Sequence, residues 1–214
     1  MDQLREKQLH ATLTAAPMVP VLTIDDRKIA VPLGKALVAG GLTALEVTLR
    51  TPAALDCIRA MIAEVEGATV GAGTVRTARQ YEEAEKAGAK FVVSPGATAG
   101  LIAAGKASAV PFLPGIITPG EAMTLAEEGF TTLKFFPAEP AGGIAYLRAL
   151  AAPLAGIRFC PTGNITQNLA PSYPALPNVI CIGGTWVVPP DALAAADWAR
   201  ITGLAREAAA LKGA

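Results

Sequence analysis

The sequence predicts an α/β protein: one (β/α)8 barrel domain of the TIM type over residues 1–214, with a leading helix at about 2–16. Three observations predict it. Eight short apolar runs recur along the chain, most of them continuously apolar, as parallel strands covered on both faces require. A turn and a helical stretch with end signals follow each run. The rival, an open sheet carrying a dinucleotide, fails on "GAGTVR", where Gly71 and Gly73 are present but Arg76 takes the place of a third glycine.

The runs are "MVPVLTI" (18–24), "ALEVTL" (44–49), "ATVGAG" (68–73), "KFVVSP" (90–95), "VPFLPGI" (110–116), "TLKFFP" (132–137), "GIRFCPTG" (156–163) and "NVICIGG" (178–184). Between them, Thr51-Pro52 and Thr118-Pro119 place a capping hydroxyl before a proline at the first helical position. Thr77 with Gln80, and Thr118 with Glu121, fit a capping box. Gly40-Gly41, Gly88 and Gly129 stand where helices stop. No linker rich in Pro, Gly or Ser interrupts the pattern, so one domain is expected.

Composition removes several function classes. The chain is 52% hydrophobic and 17% charged, and its 18 basic residues balance 18 acidic ones without a basic block, so no nucleic-acid partner is expected. No apolar run approaches the roughly 20 residues of a membrane span, and "MDQLREKQLHATL" lacks a signal-peptide core, so neither membrane nor export is expected. Cys57, Cys160 and Cys181 have no metal-type spacing and suit buried free thiols of a reducing cytoplasm. The single histidine, His10, leaves almost nothing for a His-based metal site or a Ser-His-Asp triad.

In such a barrel the chemistry sits at the C-terminal strand ends. Glu46, Thr48 and Arg50 alternate with Val47 and Leu49 on the second run, so their side chains share one face. Thr74 follows the third run and Ser94-Pro95 ends the fourth. The sixth holds Lys134 between Leu133 and Phe135-Phe136, an amine in an apolar strand. Burial disfavours its charged form and favours a neutral nucleophile for a carbonyl. A structural ion pair of Glu46 with Arg50 or Lys134 is the plainer reading, as is a strand-end lysine reaching out to solvent. "TGN" (162–164) and "GGT" (183–185) close the last two runs, where backbone N–H groups of such barrels hold phosphate; the plainer reading is tight turns.

Together "PVLTI", "GLTALEVTLRTP", "VGAGTV", "FVVSPG", "LPGIITPGE", "LKFFPAE", "FCPTGNI" and "VICIGGTWVVP" resemble the bacterial 2-keto-3-deoxy-6-phosphogluconate aldolases, a family that includes 4-hydroxy-2-oxoglutarate aldolases. The resemblance runs in order from about Pro20 to Pro190. It implies a class I aldolase, free of metal and cofactor, homotrimeric, taking a phosphorylated keto acid to pyruvate and glyceraldehyde 3-phosphate. By position it implies Lys134 as the Schiff-base lysine and Glu46 as general acid/base. Arg50 and Thr74 would bind the pyruvate carboxylate, with Pro95 and Phe136 shaping that pocket. Thr162 would face the aldehyde hydroxyls, and Gly163, Asn164, Gly183, Gly184 and Thr185 would hold the phosphate. Two positions depart from the family pattern: Asn164 replaces a usual glycine, and Thr185 a frequent serine. A phosphosugar isomerase or epimerase and a non-catalytic phosphosugar-binding barrel are the alternatives, and neither needs an imine-forming lysine.

Overall fold

The computed structural model describes residues 3–211. Helix α1 (Gln3–Leu13) leads, and its expected start at residue 2 lies outside the described residues. Nine strands follow among the described residues: β1 (Met18–Leu22), β2 (Ala44–Thr48), β3 (Thr69–Gly73), β4 (Val92–Val93), β5 (Phe112–Leu113), β6 (Gly115–Ile116), β7 (Thr132–Phe135), β8 (Arg158–Pro161) and β9 (Ile182–Gly184). All pair in parallel, in a six-stranded sheet of order β5-β4-β3-β2-β1-β9 and a three-stranded sheet of order β6-β7-β8. The expected eight strands become nine because Pro114 divides the fifth run. A proline has no N–H to give to a ladder, although its carbonyl still accepts from Lys134 N–H at 2.9 Å.

Helices α2 (Arg27–Ala39), α3 (Ala54–Glu64), α4 (Ala78–Lys86), α5 (Ala99–Ala107), α6 (Pro119–Glu127) and α7 (Gly143–Leu150) fill the crossovers up to β8. The β8–β9 crossover holds a 3-10 turn at Ala170–Ser172 in place of the expected helix. Pro171, Pro174 and Pro177 deny that segment the N–H groups of a longer helix. Helices α8 (Pro190–Ala194) and α9 (Trp198–Ala209) close the described chain. None of the helices is long and apolar enough to cross a membrane.

Strand side chains alternate, so each strand feeds two cores. Leu45, Val47, Leu133, Phe135 and Phe159 join the large core with the helices. Val19, Ala44, Val93, Leu113, Cys160 and Cys181 form a smaller core on the opposite face, closed at one end by Leu9 and Leu13 of α1. Glu6 pins α1 there, its Oε1 accepting from Thr131 Oγ1 at 2.8 Å. Glu46 lies two residues beyond Ala44, and Lys134 is opposite Cys160 in the ladder, so both charges belong to this second face.

Most helix ends follow the sequence signals. After α2, α4 and α6, the glycines Gly41, Gly88 and Gly129 take positive φ. The next residue's N–H then reaches back five residues, as Leu42 does to the Leu37 carbonyl at 3.1 Å. Thr77 caps α4, but Gln80 reaches back to the Arg76 N–H rather than to Thr77's own. The expected Thr51 cap is absent: α3 starts at Ala54 with no side-chain cap, and the Thr51 hydroxyl donates to the Ile24 carbonyl at 2.6 Å. That bond ties the end of β2 to the end of β1, a long-range demand that local capping preference does not override.

At α6 the capping box is complete, with Glu121 Oε2 accepting from Ile117 N–H, Thr118 N–H and the Thr118 hydroxyl. Partial burial works against the Glu121 charge, but these three hydrogen bonds outweigh it and hold the carboxyl below its usual 4.5. Because the folded value is depressed, the stabilisation is present above pH 4.5 and lost as pH falls through the folded value. Glu121→Gln should therefore melt below wild type at pH 7, with the gap closing below pH about 4; circular dichroism melts across that range check it.

Candidate functional site

Lys134 has a partner. Its Nζ lies 3.1 Å from Glu46 Oε1, and the two residues are only 5% and 3% exposed. Of the partners open to Glu46, the pair forms with Lys134 and not with Arg50, and the lysine does not reach solvent. The ammonium also sits 5.6 Å from the centroid of the Phe136 ring, within cation–π range. Both side chains enter from rigid, fully buried strands, β7 and β2.

Two glycines make room for the pair. A Cβ on Gly73, paired with Thr48 across β2 and β3, would collide with the Glu46 carboxylate. Gly115 pairs with Lys134, and a Cβ there would lie 2.6 Å from the Ser94 carbonyl oxygen. That contact seats the Ser94-Pro95 turn directly beside the Lys134 strand. Ser94 is buried and Pro95 half-buried. The Thr48 hydroxyl is taken up by the Leu22 carbonyl at 2.9 Å, so it braces β1 against β2.

Thr74 adopts φ 57, a left-handed conformation that is an outlier for a β-branched residue. There its Oγ1 accepts from Arg50 Nε at 3.1 Å, holding an exposed guanidinium at the rim. Strain of this kind persists only where the surroundings over-determine it.

A cavity of about 280 Å³ opens beside the pair; Lys134 and Glu46 are not in its lining, and Phe136, whose ring faces the Lys134 ammonium, joins the two. Arg50 and Phe136 line one part of it, and Thr162, Gly163 and Asn164 another, facing Gly183, Gly184 and Thr185. Gly163 has φ 112, and a Cβ there would lie 3.1 Å from Pro137 Cα. Asn164 follows at φ 57, a conformation Asn tolerates better than most residues. Thr162 bridges to Gly183, whose missing Cβ leaves space for the Thr162 side chain. The loop after β8 and the end of β9, where Gly183 and Gly184 are strand residues and Thr185 follows, thus meet in one wall. Val21 and Ile165 also line the cavity. The sequence carries no polar signal for either, and only the inward alternation of "MVPVLTI" hints at Val21. Thr74 and Pro95 are not in the lining; Thr74 reaches it through Arg50, whereas Pro95 packs on Gly115, opposite Lys134.

Below the pair, Cys160 lies beside Cys181 in the second core, both as free thiols. The hydrogen bond with Cys160, together with burial, pushes the Cys181 thiol well up, which makes it a poor nucleophile. Among the described residues no group of three or more His, Cys, Asp or Glu is arranged to hold a metal ion. The chemistry on offer is therefore an amine beside a carboxylate, a guanidinium at the rim, and a loop-lined end rich in backbone N–H groups.

Residues 9–204 match the family model described as aldolase, KDPG and KHG aldolase. A 2-dehydro-3-deoxy-phosphogluconate aldolase of Pseudoalteromonas atlantica is 52% identical over 194 residues, 91% of this chain and 90% of that protein. The crystal structure of the Zymomonas mobilis ZM4 2-keto-3-deoxy-6-phosphogluconate aldolase with 3-phosphoglycerate superposes with a TM-score of 0.93 at 46% identity, covering 98% of both chains. That of the Legionella pneumophila KDPG aldolase, with pyruvate captured as a covalent carbinolamine intermediate, gives 0.92 at 41% identity, covering 94% of this chain and 98% of that one. Sequence, fold and the buried lysine–carboxylate pair agree, and the chain belongs to the KDPG and KHG aldolase family.

Proposed function

We propose that this protein is a class I aldolase that reversibly cleaves 2-keto-3-deoxy-6-phosphogluconate to pyruvate and glyceraldehyde 3-phosphate, and that it also takes 4-hydroxy-2-oxoglutarate. The observation that carries the reading is the buried 3.1 Å contact between Lys134 and Glu46, joined to the cavity through Phe136. Passing the ammonium proton to Glu46 leaves an amine and a carboxylic acid, both neutral, in a site where charge is costly. The free Lys134 Nζ then adds to the C2 carbonyl, Glu46 gives its proton to the departing hydroxyl, and loss of water leaves a protonated imine beside a Glu46 carboxylate. Glu46, directly or through a water, takes the proton of the C4 hydroxyl as the C3–C4 bond breaks. The bond's electrons flow into the imine, giving an enamine and free glyceraldehyde 3-phosphate. Protonation of the enamine carbon and hydrolysis release pyruvate and restore the lysine.

The family resemblance and the placement of the side chains support the remaining roles. Arg50, braced by the Thr74 hydroxyl, offers a planar fork for the pyruvate carboxylate, while Phe136 walls that end and Pro95 stands behind it beside the Lys134 strand. Thr162 faces the hydroxyls of the aldehyde half. Gly163, Asn164, Gly183, Gly184 and Thr185 take the phosphate, which suits backbone N–H groups in close-approach loops. We read the two sheets as one closed (β/α)8 barrel in a single domain. The bridges Phe159–Val179 and Thr162–Gly183 join β8 to the β9 edge, and only Pro114 separates β5 from β6. A homotrimer in the cytoplasm is the expectation from the family resemblance.

Borohydride reduction in the presence of pyruvate should leave a covalent pyruvyl adduct on Lys134, located by peptide mass spectrometry. Lys134→Ala should lose both adduct and cleavage while remaining folded; trapping that persists in the variant would move the imine elsewhere. An isomerase or a binding barrel would form no adduct.

Glu46→Gln should still form the imine but slow proton transfer by about 10²–10⁴-fold. Deuterium exchange into the pyruvate methyl group, followed by NMR, reads this directly, and an unchanged rate would reduce Glu46 to a structural partner.

Several charge-assisted contacts, each worth about 1.5–3 kcal/mol, should make kcat/KM at least about a hundredfold higher for the phosphorylated sugar acid than for its unphosphorylated form. Thr185→Ala should narrow that ratio and leave pyruvate trapping intact. Equal values for both substrates in wild type would mean that the glycine loops are only turns.

A further inference from the structure

Glu139 and Tyr173 belong neither to the imine pair nor to the cavity lining, yet a hydrogen bond joins them, from the segment after β7 to the crossover between β8 and β9. Tyr173, just past the 3-10 turn, is fully buried, and its Oη donates to Glu139 Oε1. Burial, reinforced by the Glu139 carboxylate, raises the Tyr173 hydroxyl above its ordinary range, so it remains a proton donor. Gly143, at φ 52, keeps the space open: a Cβ there would lie 2.8 Å from Glu139 Oε1 and 3.1 Å from Tyr173 Oη.

Residues 137–139 continue directly from the Lys134 strand, and their backbone holds the loop after β8. Ala138 N–H donates to the Thr162 carbonyl at 2.8 Å, and Glu139 N–H to the Gly163 carbonyl at 3.2 Å. Side chains hold that loop only weakly. Thr162 Oγ1 lies 3.4 Å from the Cys160 carbonyl, and Asn164 is exposed. The loop therefore takes part of its position from segment 137–139, which the N–H groups of Ala141, Gly142 and Gly143 hold from the turn into α7 and the Glu139–Tyr173 bond holds through a side chain.

We infer that Glu139 and Tyr173 are positioning residues for the aldol reaction: their hydrogen bond fixes segment 137–139, which in turn sets the distance of the Thr162-Gly163-Asn164 loop from Lys134. This rests on the reading of that loop as part of the phosphate site. A clamp acting on the loop governs recognition of the far end of the substrate and leaves the pyruvate end alone. A charge-assisted hydrogen bond in a part-buried setting is strong enough to matter.

The test is Tyr173→Phe, which keeps the packed ring and deletes the donor. The value of kcat/KM for 2-keto-3-deoxy-6-phosphogluconate should fall about tenfold, carried by KM, while pyruvate methyl exchange stays within about twofold of wild type. Glu139→Gln keeps an acceptor and should retain a KM near wild type; Glu139→Ala should reproduce the Tyr173→Phe defect and serves if the latter does not fold. A purely structural contact would lower the melting temperature and the active fraction for all substrates and leave KM alone. Wild-type KM in both Tyr173→Phe and Glu139→Ala, with wild-type enzyme still preferring the phosphorylated substrate, overturns the clamp and spares the phosphate site. Loss of that preference in wild type itself overturns both.

Discussion

The buried contact between Lys134 and Glu46 is the constraint on which the site depends. An isolated ammonium or carboxylate in such a place costs far more than a fold can spare, and removing one partner of a buried pair is destabilising by about 3–5 kcal/mol. Replacing both by apolar side chains would often stabilise the same core, so the pair is poorly explained by stability. Its surroundings point to chemistry. Gly73 gives up a side chain to admit the Glu46 carboxylate, and Gly115 gives up one to bring the Ser94-Pro95 turn against the lysine strand. β3 thus accepts glycine, a weak strand former, where the carboxylate must pass to lie 3.1 Å from the lysine.

The two-faced packing of the strands explains how that pair stays rigid without being sealed. On one face the helices cover Leu133 and Phe135; on the other the apolar second core gives way to the charges, with Glu46 two residues past Ala44 and Lys134 level with Cys160 in the ladder. Helix α1 adds Leu9 and Leu13 to that core. Phe136 links the lysine to the cavity, which Arg50 also lines.

Much of this was legible in the sequence because it is local. Continuous apolar runs report two-sided burial, "TLKFF" places an amine inside one, and the "TGN" and "GGT" turns follow the last two runs. What stayed hidden depends on partners distant along the chain. The Thr51 hydroxyl reads as a helix cap until the Ile24 carbonyl is found beside it. Pro114 reads as part of one strand until its neighbours pair with different sheets. The Glu46 carboxylate had two cationic candidates, and only the ladder register, which sets Lys134 against Gly115 and Glu46 against Gly71, brings one of them within reach. Tyr173 carries no motif, and Glu139, although it ends "LKFFPAE", gives no sign of its partner, since their meeting is a product of the crossover geometry.

The division between strand-borne and loop-borne groups has a consequence for how such a site changes. Lys134 and Glu46 are fixed by ladders on both sides, so small alterations there meet the full stiffness of the sheets. The far end of the cavity rests on loops in left-handed conformations, at Gly163 and Asn164, held by backbone hydrogen bonds from segment 137–139. Loops tolerate substitution better than the elements they connect. The two departures from the family pattern, Asn164 and Thr185, both fall at that end and leave the imine pair untouched. On the proposed roles, the hard step of breaking a carbon–carbon bond stays with the rigid face, and the choice of aldehyde is left to residues that can vary without disturbing it.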